Sequence, residues 1–282
     1  MAAVIAVYEI PKNKRSHMIA DAMRAGIFRI GEKLANTPGA PYRGPIGDVA
    51  VFYGFDARLR TIYREYRNQH KPVVLVDLGY WRRREGGSLA GYHKVSVNAR
   101  HPTAYFRNRQ HTADRFRQLS ISIRPWSTGT HILVCGMSAK SAEVEGFKPE
   151  QWERGAILTL RSLTSRPILY RPKPSWFEAR PIDGSRFCPE PEDVAPFLAD
   201  CHAVVTHHSN TAVDGLMAGI PSFCWDGVAT SMSLQDLHRI ERPFHPEDRE
   251  KFAWDLAWTQ WRPDEMRTGA CLRYLKDEGL IP

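Results

Sequence analysis

An α/β fold made of two doubly wound parallel sheets is the architecture this sequence predicts, on three observations. Short, continuous apolar runs alternate with stretches of helical spacing, the pattern of parallel strands buried on both faces. These runs number about eight, more than a single small sheet of this kind uses. The character of the chain also changes around residues 120–130. Together they predict two facing domains, 1–125 and 126–282, with the last helix able to pack back on the first. Ligand sites would lie at the carboxyl ends of the strands, in a cleft between the domains.

Taken in order, Val4–Tyr8 reads as the first strand. Residues 16–34 read as a helix, because Met18, Ile19, Met23, Ile27 and Ile30 recur at three- and four-residue spacing, and Asn36-Thr37-Pro38-Gly39 ends it. Residues 48–53 are a second strand and 56–70 a helix with a basic face. Lys71-Pro72 opens a buried-type run over 73–76. Residues 78–129 are less regular and rich in Arg, His and aromatics, with a helix near 112–119. His131–Cys135 is again a buried-type strand, and Gly136-Met137-Ser138-Ala139-Lys140-Ser141 follows it as a small-residue loop. Residues 149–163 read as a helix and 168–170 as a strand, followed by Arg171-Pro172-Lys173-Pro174. Residues 203–206 are a strand, 210–218 a helix and 221–225 a strand, and two helices follow Pro246 and Pro263.

Apolar residues make up 43% of the 282, enough for packed cores and too much for disorder. No apolar run approaches the roughly 20 residues of a membrane span. Glu9 follows the first apolar run at once and no basic segment precedes it, so the N-terminus reads as a strand and not a signal peptide. Cys135, Cys188, Cys201, Cys224 and Cys271 contain no C-x-x-C pair; buried reduced thiols and a cytoplasmic location are expected. Charge is uneven. Residues 1–141 hold 23 Lys and Arg against 9 Asp and Glu, and residues 142–282 hold 16 against 22. The first half therefore predicts either a polyanionic partner or a solvated basic face.

The most informative run is Ala203-Val204-Val205-Thr206-His207-His208-Ser209-Asn210-Thr211-Ala212-Val213-Asp214-Gly215-Leu216-Met217-Ala218-Gly219-Ile220-Pro221. A strand ends, a turn of hydroxyl and amide side chains follows, and a helix starts with Ser209 or Asn210 as its N-cap. Free N–H groups and the positive end of the helix dipole then point outward, which suits a phosphate. Arg171 and Lys173 sit on a proline-stiffened segment after another strand, where cations could neutralise the negative charge that grows on a leaving diphosphate. A basic surface turn is the alternative for that segment.

This run resembles the nucleotide-sugar end of glycosyltransferases with two facing Rossmann-like domains, the GT-B type, and capsule-polysaccharide transferases in particular. The acidic residue after the turn is usually Glu in that family; here it is Asp214. The resemblance covers residues 130–282. It implies a nucleotide-diphosphate sugar as donor, with a UDP-sugar favoured. The donor contacts it implies are Ser138, Lys140, Arg171, Lys173, His208, Ser209, Asn210 and Thr211, with Asp214 at the ribose. No tightly bound cofactor is implied, and a divalent cation on the diphosphate is optional.

Inverting enzymes of the GT-B type take their general base from the other half. Asp77 ends the buried 73–76 run, in a layout that resembles phage DNA β-glucosyltransferases, and is the candidate base. It can equally be an N-cap or an ion-pair partner of Arg82–Arg84. Glu9, Asp56, Asp114, His93 and His101 are the reserves. Cations and aromatics interleave from Trp81 to Arg107, as on nucleic-acid surfaces where phosphates are neutralised and bases stacked. The expected contacts are Arg82, Arg83, Arg84, His93, Lys94, Asn98, Arg100, His101, Tyr105 and Arg107; a core of aromatics with solvated arginines is the alternative. Eleven histidines include no metal motif, and His207-His208 are adjacent on what reads as extended chain, so no structural metal is expected. The function expected is sugar transfer to a hydroxymethylated pyrimidine of phage-type double-stranded DNA by a monomer. Alternatives are a capsule or lipopolysaccharide glycosyltransferase, a nucleotide-sugar 2-epimerase, and a non-enzymatic nucleic-acid-binding protein.

Overall fold

The computed structural model describes residues 2–35, 42–104, 106, 110–189 and 193–282. The chain divides into two compact units: unit 1 is Met1–Leu119 with Trp254–Pro282, and unit 2 is Ser120–Ala253.

Unit 1 begins with β1 (Val4–Tyr8), α1 (Lys14–Arg29), β2 (Lys33–Leu34), β3 (Val49–Tyr53), α2 (Ala57–Asn68), β4 (Val73–Leu78), β5 (His93–Val97) and α3 (Asp114–Leu119). Helix α1 stops earlier than its apolar spacing predicts. Ile30 caps it, Gly31 turns the chain at φ 76, and the segment beyond becomes β2, paired in parallel with β1. The Asn36-Thr37-Pro38-Gly39 stop lies outside the described residues. Helix α2 is capped by Asp56, whose Oδ1 accepts from the Leu59 N–H at 2.8 Å. It buries Leu59, Ile62 and Tyr66 against Ala50, Phe52, Val73 and Leu75 of the sheet.

Strands β1, β3 and β4 are parallel, as their continuous apolar runs predict. Strand β5 departs from the all-parallel expectation: it runs antiparallel to β4, with Val76 opposite Val95 and Asp77 opposite Lys94. The physical reason is the connection. A parallel return needs a crossover, usually a helix, whereas residues 79–92 fold into turns and hand the chain straight back.

Unit 2 follows with β6 (His131–Cys135), α4 (Ala139–Val144), α5 (Gln151–Leu163), β7 (Ile168–Arg171), β8 (Arg186–Phe187), α6 (Ala195–Leu198), β9 (Cys201–Thr206), α7 (Thr211–Ala218) and β10 (Ser222–Cys224). Its sheet is parallel throughout, in the order β10-β9-β6-β7-β8. Ile132, Val134, Ala203, Val205 and Phe223 pack against Ile157 and Leu160 of α5. Gly219 ends α7 at φ 80, and a Cβ there would stand 2.0 Å from the Pro125 carbonyl oxygen, so only glycine fits this exit.

Helix α8 (Arg249–Ala257) leads back to unit 1, which the chain completes with β11 (Gln260–Trp261), α9 (Pro263–Arg267) and α10 (Ala270–Asp277). Three helices close the chain where sequence spacing suggests two. Strand β11 extends the first sheet antiparallel to β5, giving the order β11-β5-β4-β3-β1-β2. The return is tight: a Cβ on Gly26 of α1 would meet the Met266 carbonyl oxygen of α9 at 2.2 Å. All five cysteines are free and buried. No helix among the described residues is long and apolar enough to cross a membrane.

Candidate active site

In unit 2 the carboxyl ends of β6, β7 and β9 carry the candidate donor residues. In-register pairing sets Cys135 beside both Arg171 and Thr206. Thr206 Oγ1 donates to the Cys135 carbonyl at 3.1 Å and accepts from the Ser209 N–H at 3.1 Å, which folds the chain off the strand and into α7. Ser209 is the side chain that caps: its Oγ accepts from the Thr211 N–H at 3.2 Å and donates to Thr211 Oγ1 at 3.0 Å. Asn210, the other candidate, makes no side-chain cap bond. Asp214 lies in the first turn of the helix, half-buried.

Three of these groups meet at one thiol. Burial pushes the Cys135 thiol up to about 11, against the nearby Arg171 cation and a hydrogen bond with Thr211, while Asp214 adds to the rise. Arg171, Thr211 and Asp214, 43 residues apart in sequence at their widest, therefore converge at the carboxyl edge of the sheet. Arg171 differs from its expected role as a projecting surface cation. It is the last residue of β7, 6% exposed, with its guanidinium 5.5 Å from the Phe197 ring centroid. Lys173 and Lys140 are exposed. Ser138 caps α4, accepting from the Ser141 N–H at 3.2 Å.

The loop after β6 rests on a group that sequence reading missed. Glu153 of α5 is fully buried, and its Oε1 accepts from the Met137 N–H at 2.6 Å. Burial raises its carboxyl above the usual range, and the Met137 bond opposes the rise. Gly136 is hemmed by the Tyr170 ring at 3.0 Å and Glu153 Oε1 at 3.2 Å from where a Cβ would stand. The signal for Glu153 was faint: one acid on the apolar face of a helix.

His207 and His208 depart from the expectation that adjacent histidines diverge. The chain bends there, and their Nδ1 atoms lie 3.2 Å apart. His207 is ringed by Phe147 at 5.5 Å and Trp152 at 5.7 Å between centroids. Among the described residues, no group of three or more His, Cys, Asp or Glu could hold a metal ion.

In unit 1, Asp77 is the penultimate residue of β4, with its side chain exposed. Its Oδ1 accepts from the Leu78 N–H at 2.8 Å, and its Oδ2 lies 4.0 Å from Lys94 Nζ. The cation opposite Asp77 in the strand pairing is Lys94. Arg82 bonds the Leu119 carbonyl and pairs with Glu85. The reserves are otherwise engaged. Glu9 is tied to Arg24 and His17, whose hydrogen bonds outweigh the upward push of burial and hold it low. Asp56 caps α2, and Asp114 accepts from Thr112 and Arg117.

Part of the expected nucleic-acid surface is corrected. His93 and Lys94 are 0% and 5% exposed in β5, so neither presents a surface to a phosphate backbone. Burial pushes His93 down to about 4, with Arg15 adding to the fall and the Gly91 backbone and Asp77 opposing it. Asn98 turns the chain at φ 62 and its Oδ1 accepts from the Val73 N–H at 2.9 Å, a structural task. His101 Nδ1 lies 3.2 Å from both Tyr80 Oη and Lys94 Nζ. Arg82 and Arg84 are exposed, and Arg83 and Arg100 half-buried. Tyr105 and Arg107 lie outside the described residues.

No protein-family model and no curated protein sequence matches the chain. Solved structures do. A β-Kdo 2,4-transferase, KpsC of Thermosulfurimonas dismutans, superposes with a TM-score of 0.56 at 12% identity, over 91% of this chain and 91% of that one. A β-Kdo 2,7-transferase, also KpsC of Thermosulfurimonas dismutans, gives 0.52 at 11% identity, over 96% of this chain and 99% of that one. At this identity the likeness speaks for fold: two Rossmann-like units of the GT-B type.

Proposed function

We propose that the protein is a glycosyltransferase that uses a nucleotide-diphosphate sugar. The observation that carries this reading is the edge of the parallel sheet in unit 2, where the start of α7, the Ser209 cap, Arg171 and Asp214 converge. The positive end of the α7 dipole and a buried guanidinium suit a diphosphate. Asp214 would meet ribose hydroxyls. In a direct displacement the acceptor oxygen attacks the anomeric carbon, and the bond to the diphosphate oxygen breaks with its electron pair going to phosphate. Asp77 takes the acceptor proton on the oxygen that the Leu78 N–H leaves open. Glu153 keeps the loop after β6 in place from beneath.

Two acceptors remain in view. The finer sequence reading, hydroxymethylated pyrimidine in double-stranded DNA, is supported by the charge of the first half and by exposed Arg82 and Arg84, and is weakened by the burial of His93 and Lys94. A capsule or lipopolysaccharide glycan is favoured by the fold shared with the two Kdo transferases. The test is to incubate the protein with a panel of nucleotide sugars and either hydroxymethylated DNA, plain DNA or capsular oligosaccharide. A hexose or pentose mass gained by one acceptor is the expected result. No mass gain anywhere, with no nucleotide binding by calorimetry, would overturn the reading.

A further inference from the structure

The cross-strand partner of Asp77 has no place in donor or acceptor binding, yet its setting is unusual. Lys94 is 5% exposed. A lysine ammonium is almost never buried unless it is paired, because its desolvation is costly. The antiparallel turn of β5 sets Lys94 directly opposite Asp77, on the same face of the sheet. Its Nζ lies 4.0 Å from Asp77 Oδ2, 3.2 Å from His101 Nδ1 and 5.6 Å from the Tyr80 ring centroid. An ammonium has donors only, so His101 accepts through Nδ1 and carries its proton on Nε2. His101 in turn meets Tyr80 Oη at 3.2 Å. The result is an ammonium fixed from behind by a ring and an imidazole, facing an exposed carboxylate.

We infer that Lys94 is a positioning residue for Asp77, holding the exposed carboxylate in one rotamer at the sheet edge. An exposed aspartate samples several χ1 wells. The two contacts here divide the work: Leu78 N–H engages Oδ1, and Lys94 sets the side on which Oδ2 lies. At 4.0 Å the ammonium attracts Oδ2 without filling the hydrogen-bond position that an acceptor hydroxyl would take. Tyr53 and His93 also feel the Asp77 charge, but neither stands opposite it in the strand pairing. The inference rests on the reading of Asp77 as the general base.

The test compares crystal structures and kinetics of Lys94→Met, Lys94→Arg and Asp77→Asn in the full chain. Lys94→Met is expected to fold, since it removes a buried charge and keeps the stem. Asp77 should then spread over several rotamers while β5 stays in register, and Lys94→Arg should restore one rotamer. A single, unmoved Asp77 rotamer in Lys94→Met overturns the inference. If the Met variant fails to fold, Lys94→Gln carries the same two outcomes. With the donor and acceptor found by the mass screen, Lys94→Met should lower kcat about 10- to 100-fold, leave the donor KM unchanged, and add nothing in the Asp77→Asn background. Fully additive losses would also overturn it. Full turnover by Asp77→Asn would instead sink the base assignment, and it is read separately from the rotamer result.

Discussion

The two sheets differ in how their carboxyl edges are built. In unit 2 every strand is parallel, so β6, β7 and β9 all end at one edge, and α7 starts there with the positive end of its dipole. In unit 1 the reversal at β5 brings two side chains face to face, and the edge is furnished by the Asp77–Lys94 pair. A parallel edge gathers a helix start and side chains from several strand ends; an edge with antiparallel pairing can hold opposed charges. That division matches the proposed labour, with phosphate on one sheet and proton transfer on the other. Charge follows it as well. Unit 1 holds 25 Lys and Arg against 14 Asp and Glu, and unit 2 holds 14 against 17.

The sharpest way to break this contrast is Asp77→Asn. It keeps the shape and removes the basicity. Turnover should fall by about 10²–10⁴-fold with nucleotide affinity unchanged by calorimetry. Loss of nucleotide affinity would show that the two edges do not divide the work as stated.

Next in size is the response of each unit to pH. His93, buried and pushed down to about 4, stays neutral in the fold while the unfolded chain protonates from its ordinary 6.5. Unit 1 should therefore lose stability as pH falls from 6.5 towards 4, by up to about 3 kcal/mol. Glu153 in unit 2 has the opposite sign. Its folded value is raised, so its contribution is complete below its ordinary 4.5 and is lost as pH rises through the folded value. Hydrogen exchange read peptide by peptide on the intact chain at pH 7 and 5 should show β5 opening more readily in acid. His93→Phe should flatten that response. Equal pH dependence in both sheets would refute the contrast.

Arg171→Ala tests the donor edge more gently. A hydrogen bond to a charged group contributes about 1.5–3 kcal/mol, so nucleotide affinity should weaken about 10- to 100-fold, with the fold intact by circular dichroism. The smallest effect is expected of Ser209→Ala. It removes a cap worth about 1 kcal/mol and should lower the melting temperature slightly, because the other first-turn N–H groups of α7 keep their carbonyl partners. A Ser209→Ala loss of nucleotide affinity larger than that of Arg171→Ala would mean that the hydroxyl turn and not the guanidinium holds the ligand.

Much of this architecture could be read from the chain. Val4–Tyr8, His131–Cys135 and the run ending in Thr206 are continuous apolar strands with turn residues after them, and each lies where its pattern puts it. The donor edge was legible for the same reason: strand, cap and helix start are adjacent in sequence. Strand β5 was hidden because His93 and Lys94 look like surface residues, although Val95, Ser96 and Val97 with Gly91 and Asn98 at either end are strand and turn signals. The Asp77–Lys94 pair was beyond reach, since it depends on a register between strands joined by 14 residues of turns. Strands β2, β8 and β11, at two residues each, are too short to carry any period.

The buried thiols give the molecule an internal stopwatch. Burial pushes Cys135 up to about 11, and Cys201 and Cys224 up to about 12, and the thiolate is the species that reacts. At neutral pH a thiol reagent must wait for the surrounding structure to open. Cys135 and Cys201 sit on the central strand β6 and its neighbour β9 in unit 2, whereas Cys271 sits in α10 of unit 1. The order in which these cysteines are labelled therefore times the breathing of each unit within one unmodified chain.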